Sequence, residues 1–498
     1  MDGYQTQTFH AFMGIPYAKP PLGPLRFKSP QKKPKWNDIY DATNLKAVCI
    51  KKLVIPAPVI QGEEDCLYLN VYRPSRRHEL LPVMVYIHGG GFFSGSAGPA
   101  MTGPEYFMDT ETVILVTMSY RLGALGFLST GDINMPGNYG LKDQELALKW
   151  VRDNIAYFDG DRNRVTLFGH GAGAVATHLH LLNPYSKHLF HSVITMSGTA
   201  NVPFGITKNP SAQARQTAEL CGIPHAESIS LAELTEALRE IDVITLINAS
   251  DGLKEWDVYP LINYRPVVEP PGILESIVSA DPEKLIREAK YEKRPWLLGT
   301  VPQEGAVRFV NILENTRLLN EFNNRFNYLF EQMMEWPNRF TPSERKDKTE
   351  SVVVEYLEGV YFLNNGTKQG FMDVSISRLI IYGFIPYPFF TSTAAFYPVF
   401  LNSMVHIIMY SYYLVAAVAD KKVIRALTPV KKSITVIQMV QFFFILLQAV
   451  IQSIRCGVPK VVFTYFVIVV GLMFYGFYDF YNNSYKKSQR RKSLTSEK

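Results

Sequence analysis

Histidine all but disappears from the second half of this chain: after His225 the only one is His406. Chemistry that needs an imidazole has a single residue to draw on there. No Asp, Glu, Lys or Arg occurs in residues 379–419, an uncharged run long enough for two membrane spans at about 20 residues each. Two more apolar runs follow at 434–453 and 461–481, so the composition turns from soluble to membrane-like within a few residues. The first residues, Met1-Asp2-Gly3-Tyr4-Gln5, have no basic start and no apolar stretch, and no secretory leader is expected before Phe12. Neither sign of charge dominates, with 51 Lys+Arg against 45 Asp+Glu. The surplus base sits in 421–432 and 486–492, beside apolar runs and without a base-reading fold, which argues against a nucleic-acid partner.

The most informative absence is one hydroxyl. Val165-Thr166-Leu167-Phe168-Gly169-His170-Gly171-Ala172-Gly173-Ala174 has the form of an α/β-hydrolase nucleophile elbow. That turn from strand to helix is so tight that only glycines fit on either side, while a central serine is pushed out at the top of the sheet. Here the centre is Gly171, which supplies the turn and no oxygen. Losing the serine of such a triad costs on the order of 10⁶ in turnover, so the hydrolytic site is expected to be dead. Neighbouring His170 is expected to point away from the acyl site, and Ser197 has no histidine to activate it.

Other motifs agree with the elbow in order and spacing. Phe12-Met13-Gly14-Ile15-Pro16-Tyr17, Glu64-Asp65-Cys66-Leu67-Tyr68-Leu69-Asn70, Ser119-Tyr120-Arg121, Pro136-Gly137-Asn138 and Pro266-Val267-Val268-Glu269-Pro270 resemble the signatures of the type-B carboxylesterases. That family includes cholinesterases, insect esterases and non-catalytic adhesion relatives. His88-Gly89-Gly90-Gly91-Phe92 follows an apolar run that reads as a buried strand. The resemblance makes Gly90, Gly91 and Ala172 the oxyanion donors and Glu304, in Gly299-Thr300-Val301-Pro302-Gln303-Glu304-Gly305, the triad acid. It implies a histidine about a hundred residues later, on a glycine-rich loop; His406 lies in an apolar run instead. It also implies a Cys49–Cys66 disulfide, which needs an oxidising compartment. The partner position of Cys221 is Ala237, so a second bridge is not expected.

Past residue 396 the resemblance changes. Asn402-Ser403-Met404-Val405-His406-Ile407-Ile408-Met409-Tyr410-Ser411-Tyr412-Tyr413 resembles the asparagine–histidine box of the very-long-chain fatty-acid elongases, and Gln438-Met439-Val440-Gln441-Phe442 their later glutamine box. Those enzymes condense malonyl-CoA with acyl-CoA in the endoplasmic reticulum, and they carry an H-x-x-H-H cluster that this chain lacks. His188-Leu189-Phe190-His191-Ser192 stops one residue short and lies in the esterase frame. Polar Asn402, His406, Gln438 and Gln441 within apolar runs are expected to face an interior; Gln438 and Gln441 share one helix face, and Tyr410 is read as packing.

The expected architecture is an α/β-hydrolase domain, truncated at its C-terminus, with a mixed sheet and helices on both faces, followed by three to four transmembrane helices. The divisions are 1–375 (esterase-like), 376–400 (junction and a first span), 401–485 (elongase-like helices) and 486–498 (a basic cytoplasmic tail, by the positive-inside rule). The expectation is a multi-pass protein of the endoplasmic reticulum in which neither active site is complete, so that both chemistries are expected to be lost. Expected partners are the lipid membrane, an acyl-CoA or elongase subunits, and a protein held by the head; no metal and no cofactor are expected. Asn248-Ala249-Ser250 and Asn365-Gly366-Thr367 fit glycan acceptors if the head is lumenal, although the missing leader favours a cytoplasmic head.

Overall fold

A computed structural model describes residues 8–373, apart from 54–57, 76–79, 289–290, 339, 358 and 365, together with Tyr475. The chain divides into two units, Met1–Phe384 and Ile385–Lys498, and the fold described here is that of the first. Its centre is a seven-stranded sheet in the order β1-β4-β6-β5-β7-β8-β9. The strands are β1 Phe9–Pro16, β4 Tyr68–Pro74, β5 Leu81–Ile87, β6 Ile114–Met118, β7 Gly160–His170, β8 Ser192–Met196 and β9 Trp296–Gly299. A small separate pair is formed by β2 Lys51–Leu53 and β3 Val59–Gln61. β1 and β4 join antiparallel, as do β4 and β6; from β6 onward every pairing is parallel. This mixed sheet with an antiparallel margin is the α/β-hydrolase arrangement.

Side-chain alternation explains why the central strands read as unbroken apolar runs. Val71, Val85, Val116 and Leu167 lie in register and enter the main core, while the adjacent Tyr72, Tyr86, Leu115 and Phe168 form a second cluster on the other face. Both faces of a parallel sheet must be covered. Among the covering helices are α1 Tyr139–Asn154 and α2 Ala172–Leu182. Helices α3 Ala306–Leu313, α4 Thr316–Asn324, α5 Phe326–Met333, α6 Pro342–Tyr356 and α7 Lys368–Asp373 bury their own aromatic core of Phe309, Phe322, Phe326, Phe330, Trp336 and Phe371.

The signature motifs meet as buried polar clamps. Arg121 grips Asp143 through two parallel bonds, Nε to Oδ2 at 2.8 Å and Nη2 to Oδ1 at 2.7 Å. Asn138 donates to Val267 O and to Glu269 Oε1, accepts from the Val267 N–H, and Lys142 pairs with Glu269 at 2.8 Å. Arg26 likewise clasps Glu64. Buried charges are retained only when paired, so these motifs are needed by the fold whatever happens to the chemistry.

Among the described residues no strand lies beyond β9, whose Leu297 is 65% exposed. None of the described helices is long and apolar enough to cross a membrane. The three to four expected spans fall in 376–485, where Tyr475 alone is described.

Candidate active site

The strand-to-helix turn expected at residue 171 is present. β7 ends at His170, Gly171 takes φ 56° and ψ −119°, and α2 begins at Ala172. Three glycines serve it for two different reasons. A Cβ on Gly169 would lie 2.3 Å from the Gly173 backbone, and one on Gly173 would lie 2.1 Å from Ile87 O. No side chain fits at either place. A Cβ on Gly171 would meet nothing within 4 Å, so the central position has room for a side chain and carries none. The Gly171 N–H donates to Met196 O at 2.9 Å and its carbonyl accepts from Val175 N, which fixes the turn from both sides.

The His88–Gly91 turn abuts the elbow, since a Cβ on Gly89 would fall 2.5 Å from His170 O. Gly90 and Gly91 both have positive φ, 107° and 61°, and the Gly90 carbonyl accepts from Phe93 N and from Ser94 N and Oγ. Among the described residues no acceptor is seen for the N–H groups of Gly90, Gly91 or Ala172. His88 is buried and stacked on Tyr120 at 4.3 Å. Desolvation pushes its pKa down to about 4, which makes it a neutral prop for the turn.

This constellation sits at the C-terminal edge of the parallel strands, where ligands bind in open α/β sheets. Residues 2–412 match the model of the carboxylesterase family. The chain belongs to that family. A second match, to the GNS1/SUR4 (ELO) family, covers residues 371–493, so the two matches share 371–412. The chain is 36% identical over 427 residues to juvenile hormone esterase of Tribolium castaneum, covering 84% of this chain and 72% of the relative. It is 34% identical to esterase FE4 of Myzus persicae, over 76% of this chain and 66% of the relative. A crystal structure of juvenile hormone esterase from Manduca sexta, with OTFP covalently attached, superposes with a TM-score of 0.65 at 30% identity, covering 76% of this chain and 72% of that one.

The remaining candidates of this carboxylesterase head are placed as follows. Glu304 lies half-buried in the turn after β9, and its Oε1 accepts from the Val301 N–H of the same turn at 3.0 Å. No described histidine engages it. Ser197, at φ 56°, donates its N–H to Gly299 O, which aligns the ends of β8 and β9 beside the elbow, and His170 is exposed. Cys49 and Cys66 form a disulfide, and Cys221 is free. His188 is exposed, while His191 Nδ1 accepts from Val165 N at 3.2 Å and so ties the start of β8 to β7. Asn248 is exposed and accepts from Lys52 Nζ. Asn365, Asn402, His406, Tyr410, Gln438 and Gln441 lie outside the described residues.

Two histidines that the sequence did not single out are buried in α2. His178 Nδ1 accepts from Ala200 N at 2.9 Å and its ring packs on Trp296; His180 sits between Gln144 Oε1 and Ser186 Oγ. Burial drives both pKa values down to about 3, so they are neutral struts. Their spacing two residues apart on an apolar helix was the available signal.

Proposed function

We propose that this chain is a carboxylesterase-fold head that has lost acyl transfer, carried on a partial elongase-like membrane region that has lost condensation. One observation carries the reading: at Gly171 the elbow keeps its turn and an open space, with no nucleophile in it. The histidine content supports it, because His406, the only histidine after His225, belongs to the elongase-like box. Glu304 would then be a triad acid with nothing to orient, and Gly90, Gly91 and Ala172 an oxyanion cradle retained as backbone geometry. The divisions at 375, 400 and 485, the membrane spans and residence in the endoplasmic reticulum belong to the same proposal. An acyl-CoA or an elongase subunit would be the partners of the C-terminal part.

The test is release of nitrophenol from short-chain nitrophenyl esters by the purified full chain. The expected rate equals the blank, for the wild type and for Gly171→Ser alike, since a serine without a histidine remains a poor nucleophile. Hydrolysis that co-purifies with the chain would overturn the reading.

The Cys49–Cys66 disulfide favours a second reading, in which the head is lumenal or external and holds a protein partner, as the adhesion relatives do. Disulfides persist in oxidising compartments. Glycosylation at Asn248 would support this reading, and a head digested by protease from the cytoplasmic side would remove it.

A further inference from the structure

The segment from Lys28 to Lys46 is the longest run of described chain without regular structure that stays almost wholly exposed. It is pinned at both ends. Lys32 bridges Ala18, the Lys33 N–H donates to Tyr17 O, Tyr40 Oη donates to Gly14 O at 2.8 Å, and Met13 N donates to Ala42 O. Between the pins the strip projects Trp36 (44% exposed), Ile39 (101%) and, just beyond, Leu45 (46%). Lysines 28, 32, 33, 35 and 46 are interleaved with them, against Asp38 and Asp41. Asp41 is engaged by Thr43, and Lys32 by Asp153 at 3.1 Å. Lys33 and Lys35 have no carboxylate partner among the described residues. Trp36 lies against Tyr40, ring centres 5.3 Å apart, and stays exposed.

The geometry points to this strip as a docking surface for an anionic lipid bilayer. The exposed apolar side chains stand singly between cations rather than as one contiguous patch. A headgroup layer accepts such scattered projections: an indole at the interface, aliphatic tips below it, and lysine ammoniums reaching phosphates on flexible stems. The charge complementarity and the outward Trp36 and Ile39 select the bilayer over a free phosphate, which has no use for exposed apolar tips. This inference rests on the reading that the chain is held at a membrane.

Of the five tryptophans only Trp36 is exposed, so fluorescence reports on this strip. The full chain is reconstituted into vesicles of phosphatidylcholine alone, or with about 30% phosphatidylserine, each with and without brominated acyl chains. Quenching of the Trp36 signal, taken as the difference from Trp36→Phe, is expected in the anionic vesicles only. It should fall several-fold in Lys33→Glu/Lys35→Glu, in Ile39→Ser and in high salt on the unmodified chain, the last needing no variant to fold. Equal quenching in both lipids, or none in either, overturns the docking. An alkaline carbonate wash separates the two ideas: a chain that stays with the vesicles while Trp36 is unquenched sinks the docking alone. One that washes away sinks the membrane reading, and quenching before the wash still decides the docking.

Discussion

The elbow at Gly171 and the loop that carries Glu304 occupy the same edge of one sheet, yet they are held very differently. The elbow is clamped at Gly169, where a Cβ would meet the Gly173 backbone, and at Gly173, where a Cβ would meet Ile87 O. The Glu304 loop follows the outermost described strand, β9, with Leu297 and Val301 exposed and the carboxylate bonded to its own turn. The difference teaches that a catalytic motif has a steric part and a chemical part, and that the core enforces only the first. Gly171 is the one elbow glycine that nothing crowds, and in the proposed reading it stands where a nucleophile would be.

Crowding the clamp should break the comparison most strongly. Gly173→Val places a branched side chain against Ile87 O, and a loss of about 3 kcal/mol or more of head stability is expected from overpacking alone; urea unfolding followed by tryptophan fluorescence reads it. A Gly173→Val head as stable as wild type would show that the elbow is not clamped.

Acid comes next. His88, held near pKa 4, and His178 and His180, near 3, are neutral in the fold, whereas the unfolded chain takes up protons below about 6.5. Their folded values are depressed, so stability is intact above pH 6.5 and is lost as pH falls toward 4, with a slope of about 1.4 kcal/mol per pH unit for each. Denaturant midpoints measured from pH 7.5 down should follow that slope, and His178→Asn should flatten it by about one proton.

Gly171→Ser probes the chemical position. There is room for the hydroxyl, but φ 56° strains a residue with a Cβ, and a cost of about 1–3 kcal/mol is expected. The smallest effect belongs to Glu304→Gln, within about 0.5 kcal/mol, because its carboxylate serves only a half-exposed turn. A larger loss there would mean that the carboxylate has a partner beyond the Val301 N–H.

Much of this was legible in the chain itself. The apolar runs announced the buried strands, and G-x-G-x-G announced the turn, because tight backbone approach admits no other residue. The Cys49–Cys66 pairing came from resemblance and appears in the fold as a disulfide. The role of the polar signatures was not legible: Arg121 with Asp143, or Asn138 with Glu269, are far apart in sequence and meet only when strands and loops stack. The role of His178 and His180 is likewise not legible, because a histidine on an apolar helix gives no sign of its partners until the helix is packed.

The sequence by itself decided what chemistry can be done: a hydroxyl is absent at residue 171, and His406 is the only imidazole after His225. Covalent groups cannot be supplied by folding. Only the tertiary structure decided what the glycines mean, since a missing Cβ is a requirement at Gly169 and Gly173 and a vacancy at Gly171. That distinction depends on which atoms of other segments arrive within contact distance, and no local pattern in the chain contains it.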